Sequence, residues 1–594
     1  RPRRRARTPR RFFRLVSGFW SGPTRNKAWL LSLAFLACLF MSMGLQVAVT
    51  RWNKYFFDAL QSKDMRVIEL SIAAALALAL ATAVVSIGLI QSRMRLQLRW
   101  RRWLTDRLVG RWLGERRFYQ LNILRTIDNP EARIAEDGRL SIELFVDIAG
   151  GVLNTVILSA SFMIVLWYVG GSISVGGVTI PGYLVIAVVA YTALTSLGMF
   201  LLGRPLVRAV EHKAAGEGDL RYALTRTREN AETIALIGGD EDERASVMTS
   251  FGELAQRWIA VIGRQTRMMF LSSGNNVLAP VVPLLLCTPK FIAGEMSLGD
   301  LMQAAAAFGQ VQTALNWLAD NAYNLANWSA SARRVAELDR AFSDLDEASA
   351  GGAGTIVLED SPDGAFHILG LTISQAGGAA MLAESDAHFE PGDKVLVQGE
   401  SGSGKSTLIR AIAGLWPWGS GKIQRPNDAS IAFLPQKPYM PLGTLRNAIN
   451  YPSGETEPQT GEIESILADC GLDHLAPRLD EEDTWASVLS GGELQRVAFA
   501  RILLKKPDIV IMDEATSALD ELTQKRMMEL IVERLTQSTL LHVAHRPGLE
   551  KYHNRQIVLK RDERGPAVIS DEGSRGGMGR LLGRLAGWRG AKAA

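Results

Sequence analysis

The sequence predicts a chain of two parts: a membrane α-helical domain of six spans, then an α/β domain carrying a phosphate-binding loop. Three observations predict it. Long apolar runs crowd the first 340 or so residues, positive charge gathers in alternate connections between them, and the remainder reads as an ordinary charged domain. At 594 residues the chain is too long for one hydrophobic core, and its averages of 47% hydrophobic and 21% charged residues conceal the division. The expected boundaries are a basic segment over 1–27, a membrane domain over 28–342, a linker over 343–354, the α/β domain over 355–570 and a flexible tail over 571–594.

The opening stretch, RPRRRARTPRRFFRLVSGFW, has no short apolar core ending at a small-residue cleavage site, so it does not read as a signal peptide. Residues 1–27 hold ten Lys/Arg and no acid. That charge, just ahead of a span, reads as a strip facing anionic lipid headgroups rather than a nucleic-acid-binding arm. The three cysteines (Cys38, Cys287, Cys470) lie far apart and fit neither a disulfide framework nor a Cys/His metal spacing.

A span takes about 20 mainly apolar residues, and six runs qualify: 28–49, 67–90, 142–168, 178–202, 268–293 and 299–326, the last being the least apolar. Residues 91–140 carry twelve Arg and residues 204–267 carry ten Lys/Arg, whereas the connection YVGGSISVGGV carries no charge. The long basic connections therefore face the cytoplasm. The basic, aromatic RWNKYFFDALQSKD loop is an exception on the outer side. QSRMRLQLRWRRWLTDRLVGRWL and EGDLRYALTRTRENAETIAL repeat apolar residues at helical spacing, so spans two and four are expected to continue into the cytoplasm as helices.

Span six carries Asn316, Asp320, Asn324 and Asn327 every three or four residues, and span five carries Asn275 and Asn276. An ionisable group in a span faces a bundle interior or a wet cavity. The pattern reads as a polar wall of a translocation path, with polar glue between helices as the alternative.

Beyond the acidic, Gly-rich SDLDEASAGGAG, the run KVLVQ leads into GESGSGKST, which fits G-x-x-x-x-G-K-[ST] between a strand and a helix. Gly399, Ser401, Gly402 and Gly404 let the backbone curl so that its N–H groups point at phosphates, and the helix opening at Lys405, Ser406 and Thr407 adds a favourable field. Lys405 is placed to reach the outer phosphates of ATP and Ser406 to ligate Mg²⁺. IVIMDE ends a buried strand in Asp513, suited to the Mg²⁺ shell, and Glu514, suited to polarise the attacking water. In LSGGELQR, Ser490, Gly491 and Gly492 open a helix whose N–H groups and serine hydroxyl are free to bind a phosphate.

Together these motifs resemble the ATP-binding-cassette family. By that resemblance Gln436 in FLPQKPY is the Q-loop residue and a further metal contact, Ser517 to Asp520 form the D-loop, and His545 in VAHRP is the switch histidine. The nucleotide of one cassette would sit against the LSGGE of another, so a chain with one of each implies a homodimer with two composite sites. RWNKYFFDALQSKD, DNPEARIAED, GDLRYALTRTRENAE, GLWPWGSGKI and FLPQKPYMPLGTLR narrow the likeness to SbmA/BacA-like transporters with a fused cassette, and more distantly to subfamily D half-transporters. The resemblance implies an exporter-type fold with DNPEARIAED and EGDLRYAL as coupling segments. It also implies a peptide-like or cobalamin-like cargo, most simply imported across a bacterial inner membrane, with lipid or acyl-CoA cargo and a membrane ATPase without cargo as alternatives. Many members stack adenine on an early aromatic residue; LTISQAGGAAM offers none, so no adenine contact is assigned. The tail GSRGGMGRLLGRLAGWRG reads as flexible, with a basic amphipathic turn at Leu581, Leu582, Leu585 and Trp588 as the alternative.

Overall fold

The computed structural model describes residues 8–124, 126–175, 178–349, 355–375, 380–400, 402–453, 457–561 and 566–571. Ser401, residues 350–354 of the expected linker and the tail with Leu581, Leu582, Leu585 and Trp588 lie outside the described residues. The chain divides into two compact units, Arg1–Glu115 with Ile127–Phe342, and Arg116–Thr126 with Ser343–Ala594.

The first unit is a helix bundle. Helix α1 (Thr8–Ser21) carries its apolar residues on one face, and Phe12, Leu15, Val16 and Phe19 are buried. That face meets aromatics from three other helices: the Phe19 ring stacks on Trp100, Phe13 meets Phe145 edge-on, and Phe12 meets Trp328. Arg11 is paired with the buried Asp339 at 3.0 Å. Part of the basic segment is thus a helix fastened into the bundle.

Helix α2 (Arg25–Ser62) runs past its span, so RWNKYFFDALQSKD is mostly helical, not a loop; the turn comes at Lys63 (φ 56°) and Asp64, which caps the next helix by accepting from the N–H groups of Arg66 and Val67. Helix α3 (Met65–Leu113) has 49 residues, about 70 Å at 1.5 Å per residue, and so continues far beyond its span. Helix α4 (Gly138–Gly170) is followed by a hairpin of β1 (Ser172–Val175) and β2 (Val178–Pro181), then by α5 (Tyr183–Glu229) and α6 (Asp240–Ile292).

Among the described residues five helices, α2 to α6, are long and apolar enough to cross a membrane. The sixth expected span is the least apolar. It breaks at Asn321 into α7 (Leu298–Asp320) and α8 (Ala322–Ser349), and neither half is apolar enough by itself. The reason lies in its surroundings: Ala304, Ala307, Phe308, Val311 and Ala314 are buried against α4, α5 and α6, and Gln303 and Gln312 are buried too. A helix wrapped by protein keeps small residues for close approach and can carry amides. Helix α8 continues to Ser349, so residues 343–349 are helical rather than linker.

The two expected coupling segments take different local forms. EGDLRYAL lies in mid-helix in α5; the reversal comes later, at the short helix Ala231–Ile237, bounded by Asn230 and by Gly238 at φ 67°. DNPEARIAED forms a tight turn and a π-helical turn (Arg133–Asp137) held inside the first unit, where Arg334 clamps Asp137 at 2.6 and 2.5 Å and Arg133 reaches Glu337 at 3.2 Å. The piece of this connection that belongs to the second unit is the helix Arg117–Leu124: Arg117 pairs with Asp346 at 2.6 Å, and Arg116 donates to the Ala413 carbonyl.

The second unit is a mixed sheet. Its strands are β3 (Val357–Ser361), β4 (Phe366–Ser374), β5 (Ala380–Phe389), β6 (Lys394–Gly399), β7 (Gly419–Pro426) and β8 (Ile431–Leu434). After a short pair, β9 (Gly443–Thr444) and β10 (Glu482–Asp483), come β11 (Ile509–Asp513), β12 (Thr539–Val543), β13 (Arg555–Arg561) and β14 (Ala567–Asp571). The sheet order is β3-β7-β4-β5-β14-β13-β6-β12-β11-β8. Strands β13, β6, β12, β11 and β8 are mutually parallel, while β4 is antiparallel to β5 and β7. The inner strands β6, β11 and β12 are almost wholly buried, as expected where both faces are covered. The loops leaving β6, β11 and β12 therefore emerge side by side at one edge, where ligands of parallel sheets bind.

Candidate functional site

The glycine-rich loop leaves β6 with Gly399 at φ 157°, Gly402 at φ 82° and Gly404 at φ 94°, and helix α9 (Lys405–Ile412) starts at once. The last two values lie where a side chain is strained. The curl turns the Lys405 amine back onto the loop, where it donates to the carbonyls of Gly399 (2.8 Å) and Glu400 (2.7 Å). Lys405 is buried, which pushes its amine below the usual lysine range, against the opposing pull of Glu514 and Asp513. The Ser403 hydroxyl is buried without a partner, and Thr407 is buried on α9. A buried lysine with one orphaned hydroxyl is a cradle that an anion would complete.

The Ser406 hydroxyl lies 3.4 Å from Asp513 at the end of β11. Burial raises the Asp513 carboxyl above its usual range, more than Ser406 and the nearby cations lower it. Glu514 turns the chain at φ 48°, which swings its carboxylate off the strand. There Gln436 Nε2 donates to one of its oxygens at 3.0 Å, and His545 Nε2 lies 3.9 Å from the other. The structure thus gathers Lys405, Ser406, Gln436, Asp513, Glu514 and His545 at one edge.

Ser490 and Asp520 are placed differently. Ser490 caps α10 (Gly491–Lys505) in a reciprocal capping box: Glu493 N–H donates to its hydroxyl at 3.3 Å and Ser490 N–H donates to the Glu493 carboxylate at 2.9 Å, to which the hydroxyl also donates at 2.7 Å. The serine hydroxyl is therefore engaged locally, not free as expected. What α10 offers is the first-turn N–H groups of Gly491 and Gly492, which have no carbonyl one turn earlier in the helix. Asp520 caps α11 (Glu521–Arg534), accepting from Thr523 N–H at 2.9 Å and its hydroxyl at 2.7 Å.

Two residues went unnoticed in the sequence. Gln495, buried on α10, donates to the Gln436 carbonyl (3.2 Å) and the Ser517 hydroxyl (3.2 Å) and accepts from Ala518 N–H (3.0 Å). Arg546, beside His545, donates to the carbonyls of Leu519 (2.6 Å) and Ser517 (2.7 Å). The signal was present in LSGGELQR: an amide one turn into a helix whose neighbours Val497 and Ala498 are apolar must find buried partners.

Comparison with known proteins decides the family. Residues 19–292 match the ABC transporter transmembrane region 2 family, and residues 382–517 match the ABC transporter family. An ABC transporter ATP-binding protein of Haemophilus influenzae is 33% identical over 91% of this chain and 92% of its own. The chain belongs to the ABC transporter family. This ABC transporter is a half-transporter with a fused cassette, of the subfamily D type, and its cassette binds ATP and hydrolyses it in step with transport. It is 29% identical to the inner membrane ABC transporter ATP-binding protein YddA of Escherichia coli, over 90% of this chain and 94% of that one. It is 27% identical to the human lysosomal cobalamin transporter ABCD4, over 78% and 80% of the two chains.

In the transporter's first unit the expected polar wall divides between two cavities. Asn316 and Asp320 face one of about 500 Å³ with Asn275, Asn276, Gln310 and Gln312. Gln312 and Tyr191 both donate to Asn275 Oδ1 at 2.9 Å, and Ser196 donates to Asn316 at 2.9 Å. Asn324 lines another of about 510 Å³ with Asn321, Trp317, Arg93 and Asp147; Asn327 lines neither. The stripe divides because Asn316 and Asp320 face one cavity, whereas Trp317, Asn321 and Asn324 face the other.

Proposed function

We propose that this transporter works as a homodimer that moves a bulky hydrophilic compound, peptide-like or cobalamin-like, inward across a bacterial inner membrane. The observation that carries the cargo class is the amide-rich cavity of Asn275, Asn276, Gln310, Gln312, Asn316 and Asp320. The amides and one carboxylate suit a cargo with many hydrogen-bonding groups, beside apolar surface from Met199, Leu271 and Pro280. The similarity to a lysosomal cobalamin transporter and to an inner membrane transporter supports the same reading.

In the cassette, Lys405 and the N–H groups from Gly399 to Thr407 hold the phosphates of ATP; Ser406 and Asp513, with Gln436 beside them, are oxygen donors of the kind Mg²⁺ takes. The ion, when bound, supplies charge neutralisation on the outer phosphates. Glu514, positioned by Gln436 and His545, holds the attacking water and takes its proton. Gly491 and Gly492 of the second copy close the site with their free N–H groups, Ser490 and Asp520 shaping the helix starts behind them. The tip Ala231–Ile237, where the chain turns from α5 to α6, carries Leu236 and Ile237 at 79% and 76% exposure.

The test is transport in inside-out and right-side-out proteoliposomes, following labelled cobalamin and a labelled peptide, with Glu514→Gln as the inactive control. ATP-dependent accumulation in the compartment that holds the cassettes is expected. Hydrolysis without movement of either solute would overturn the hydrophilic-cargo reading in favour of a lipid-like one.

A further inference from the structure

Far along the β4–β5 hairpin from its connecting loop, two histidines face each other across the strands. His367 of β4 pairs in register with His388 of β5, their rings 4.5 Å apart at 29°. Their Nδ1 atoms approach to 2.9 Å. On the other side of His367, Nε2 lies 2.9 and 3.0 Å from the two oxygens of Asp363. That carboxylate is fixed in turn, accepting from the Ser361 hydroxyl at 2.6 Å and from Ala365 N–H at 3.0 Å.

This order sets the tautomer. With Nε2–H donated to Asp363, His367 Nδ1 carries a lone pair aimed at the same point as His388 Nδ1. A carboxylate behind a histidine is the arrangement that orients a metal-ligating ring and raises its basicity. The distance fits as well. Two nitrogens 2.9 Å apart, each about 2.1 Å from an ion, subtend about 90° at it. A right angle between imidazoles is the cis edge of the tetragonal geometry that Cu²⁺ and Ni²⁺ prefer. The site is open to solvent, since His388 is exposed.

We propose that His367 and His388 form a cis two-histidine site for a divalent first-row transition ion on the cassette, with Asp363 as the carboxylate behind it. Among the described residues no three His, Cys, Asp or Glu side chains gather as a metal site, so the remaining positions on the ion fall to water. Binding needs both Nδ1 lone pairs; His388 moves its proton from Nδ1 to Nε2 through solvent, and no net proton is released from the neutral pair. The site is separate from the Mg²⁺ donors Ser406 and Asp513.

The experiment uses the full-length transporter in detergent, purified on a tag without histidine and stripped of metal. Cu²⁺ and Ni²⁺ are titrated in by calorimetry, and the Cu²⁺ form is examined by electron paramagnetic resonance. One ion per chain with two coordinated nitrogens is expected. His367→Ala and His388→Ala should each weaken binding at least about tenfold, and Asp363→Asn about tenfold, as outer carboxylates do. His212→Ala, altering an exposed histidine elsewhere, should bind as the parent does. Unchanged ATP hydrolysis in His388→Ala shows that the variant is folded. Absence of binding to the parent protein, or binding of the same strength in the His367→Ala/His388→Ala double variant, overturns the proposal.

Discussion

Glu514 sits at φ 48° because its carboxylate must leave the strand just where Asp513 ends it, and Gln436 and His545 meet it there. A glutamine of the same shape keeps that turn but cannot take a proton. Glu514→Gln should lower phosphate release by at least about 100-fold, the lower range for a general base, while nucleotide binding persists. Gln495 acts at one remove. Its three hydrogen bonds tie the backbone at Gln436 to Ser517 and Ala518, so Gln495→Ala leaves buried partners unpaired at a cost of about 1–3 kcal/mol. Steady-state kinetics should show kcat down about tenfold with KM for ATP little changed, because a transition-state contact is disturbed and ground-state binding is not. A proportional loss in KM would mark Gln495 as structural only. At this scale the loop residues Lys405 and Ser406, with Asp513 and Glu514, were legible because each follows a strand at fixed spacing. The local engagement of Ser490 was not, since Glu493 can face either its own cap or a ligand until the side chains are placed.

Among the elements, the C-terminal end of α2 and the start of α7 are joined by a polar clasp. Asp58 accepts from Gly299 N–H at 2.9 Å, Gln61 accepts from Leu298 N–H at 2.8 Å, and Lys54 pairs with Asp300 at 2.6 Å. Asp58 and Gln61 thus satisfy first-turn N–H groups of a helix from outside it. A methyl at Gly299 would overlap the Asp58 carboxylate and the Lys54 carbonyl, so only glycine admits the contact. Of the charges in RWNKYFFDALQSKD, Lys54 and Asp58 belong to this clasp. Asp58→Ala should cost about 1 kcal/mol, like the loss of a cap, and Gly299→Val more, read as lowered melting temperatures in detergent. Equal melting of Gly299→Val and the parent would show that the clasp is not formed.

Strand β12 carries a second element-scale prediction. His542 is wholly buried, 3.3 Å from the buried His553, and burial lowers both, His553 to about 4. The unfolded chain takes up protons at these histidines from about pH 6.5 downward, whereas the folded chain refuses them. Protons then favour the unfolded state, so stability falls as pH drops from about 6.5 towards 4. The melting temperature of His553→Gln should change less steeply over that window than that of the parent. Identical slopes would mean that the histidines carry none of the acid sensitivity.

For the whole molecule, the proposed homodimer has one glycine-rich loop and one LSGGE per chain, so each composite site would take half of its parts from a second copy. Lys405→Ala and Gly491→Asp should each abolish hydrolysis in a pure population. In a mixed dimer the loop of the Gly491→Asp chain meets the intact LSGGE of the Lys405→Ala chain, and one of two sites is whole. Equal co-expression should restore about a quarter of parental hydrolysis, since half of random dimers are mixed and each has one working site. If activity does not return, the sites are not shared between copies.

The sequence by itself determined the division into a membrane bundle and a cassette, the phosphate loop, the carboxylates that end β11 and the family. These depend on local spacing along one strand, turn or helix, which the order of residues states directly. Tertiary structure decided what depends on neighbours. Helix α7 keeps small residues and amides because other helices pack against it, and the polar stripe separates into two cavities because its residues face different neighbours. The chain reverses after α5 at Asn230–Gly238, a point that the helical repeat of EGDLRYALTRTRENAETIAL does not mark. The histidine pair on β4 and β5 is separated by twenty residues that only strand pairing folds together, so no local pattern could announce it.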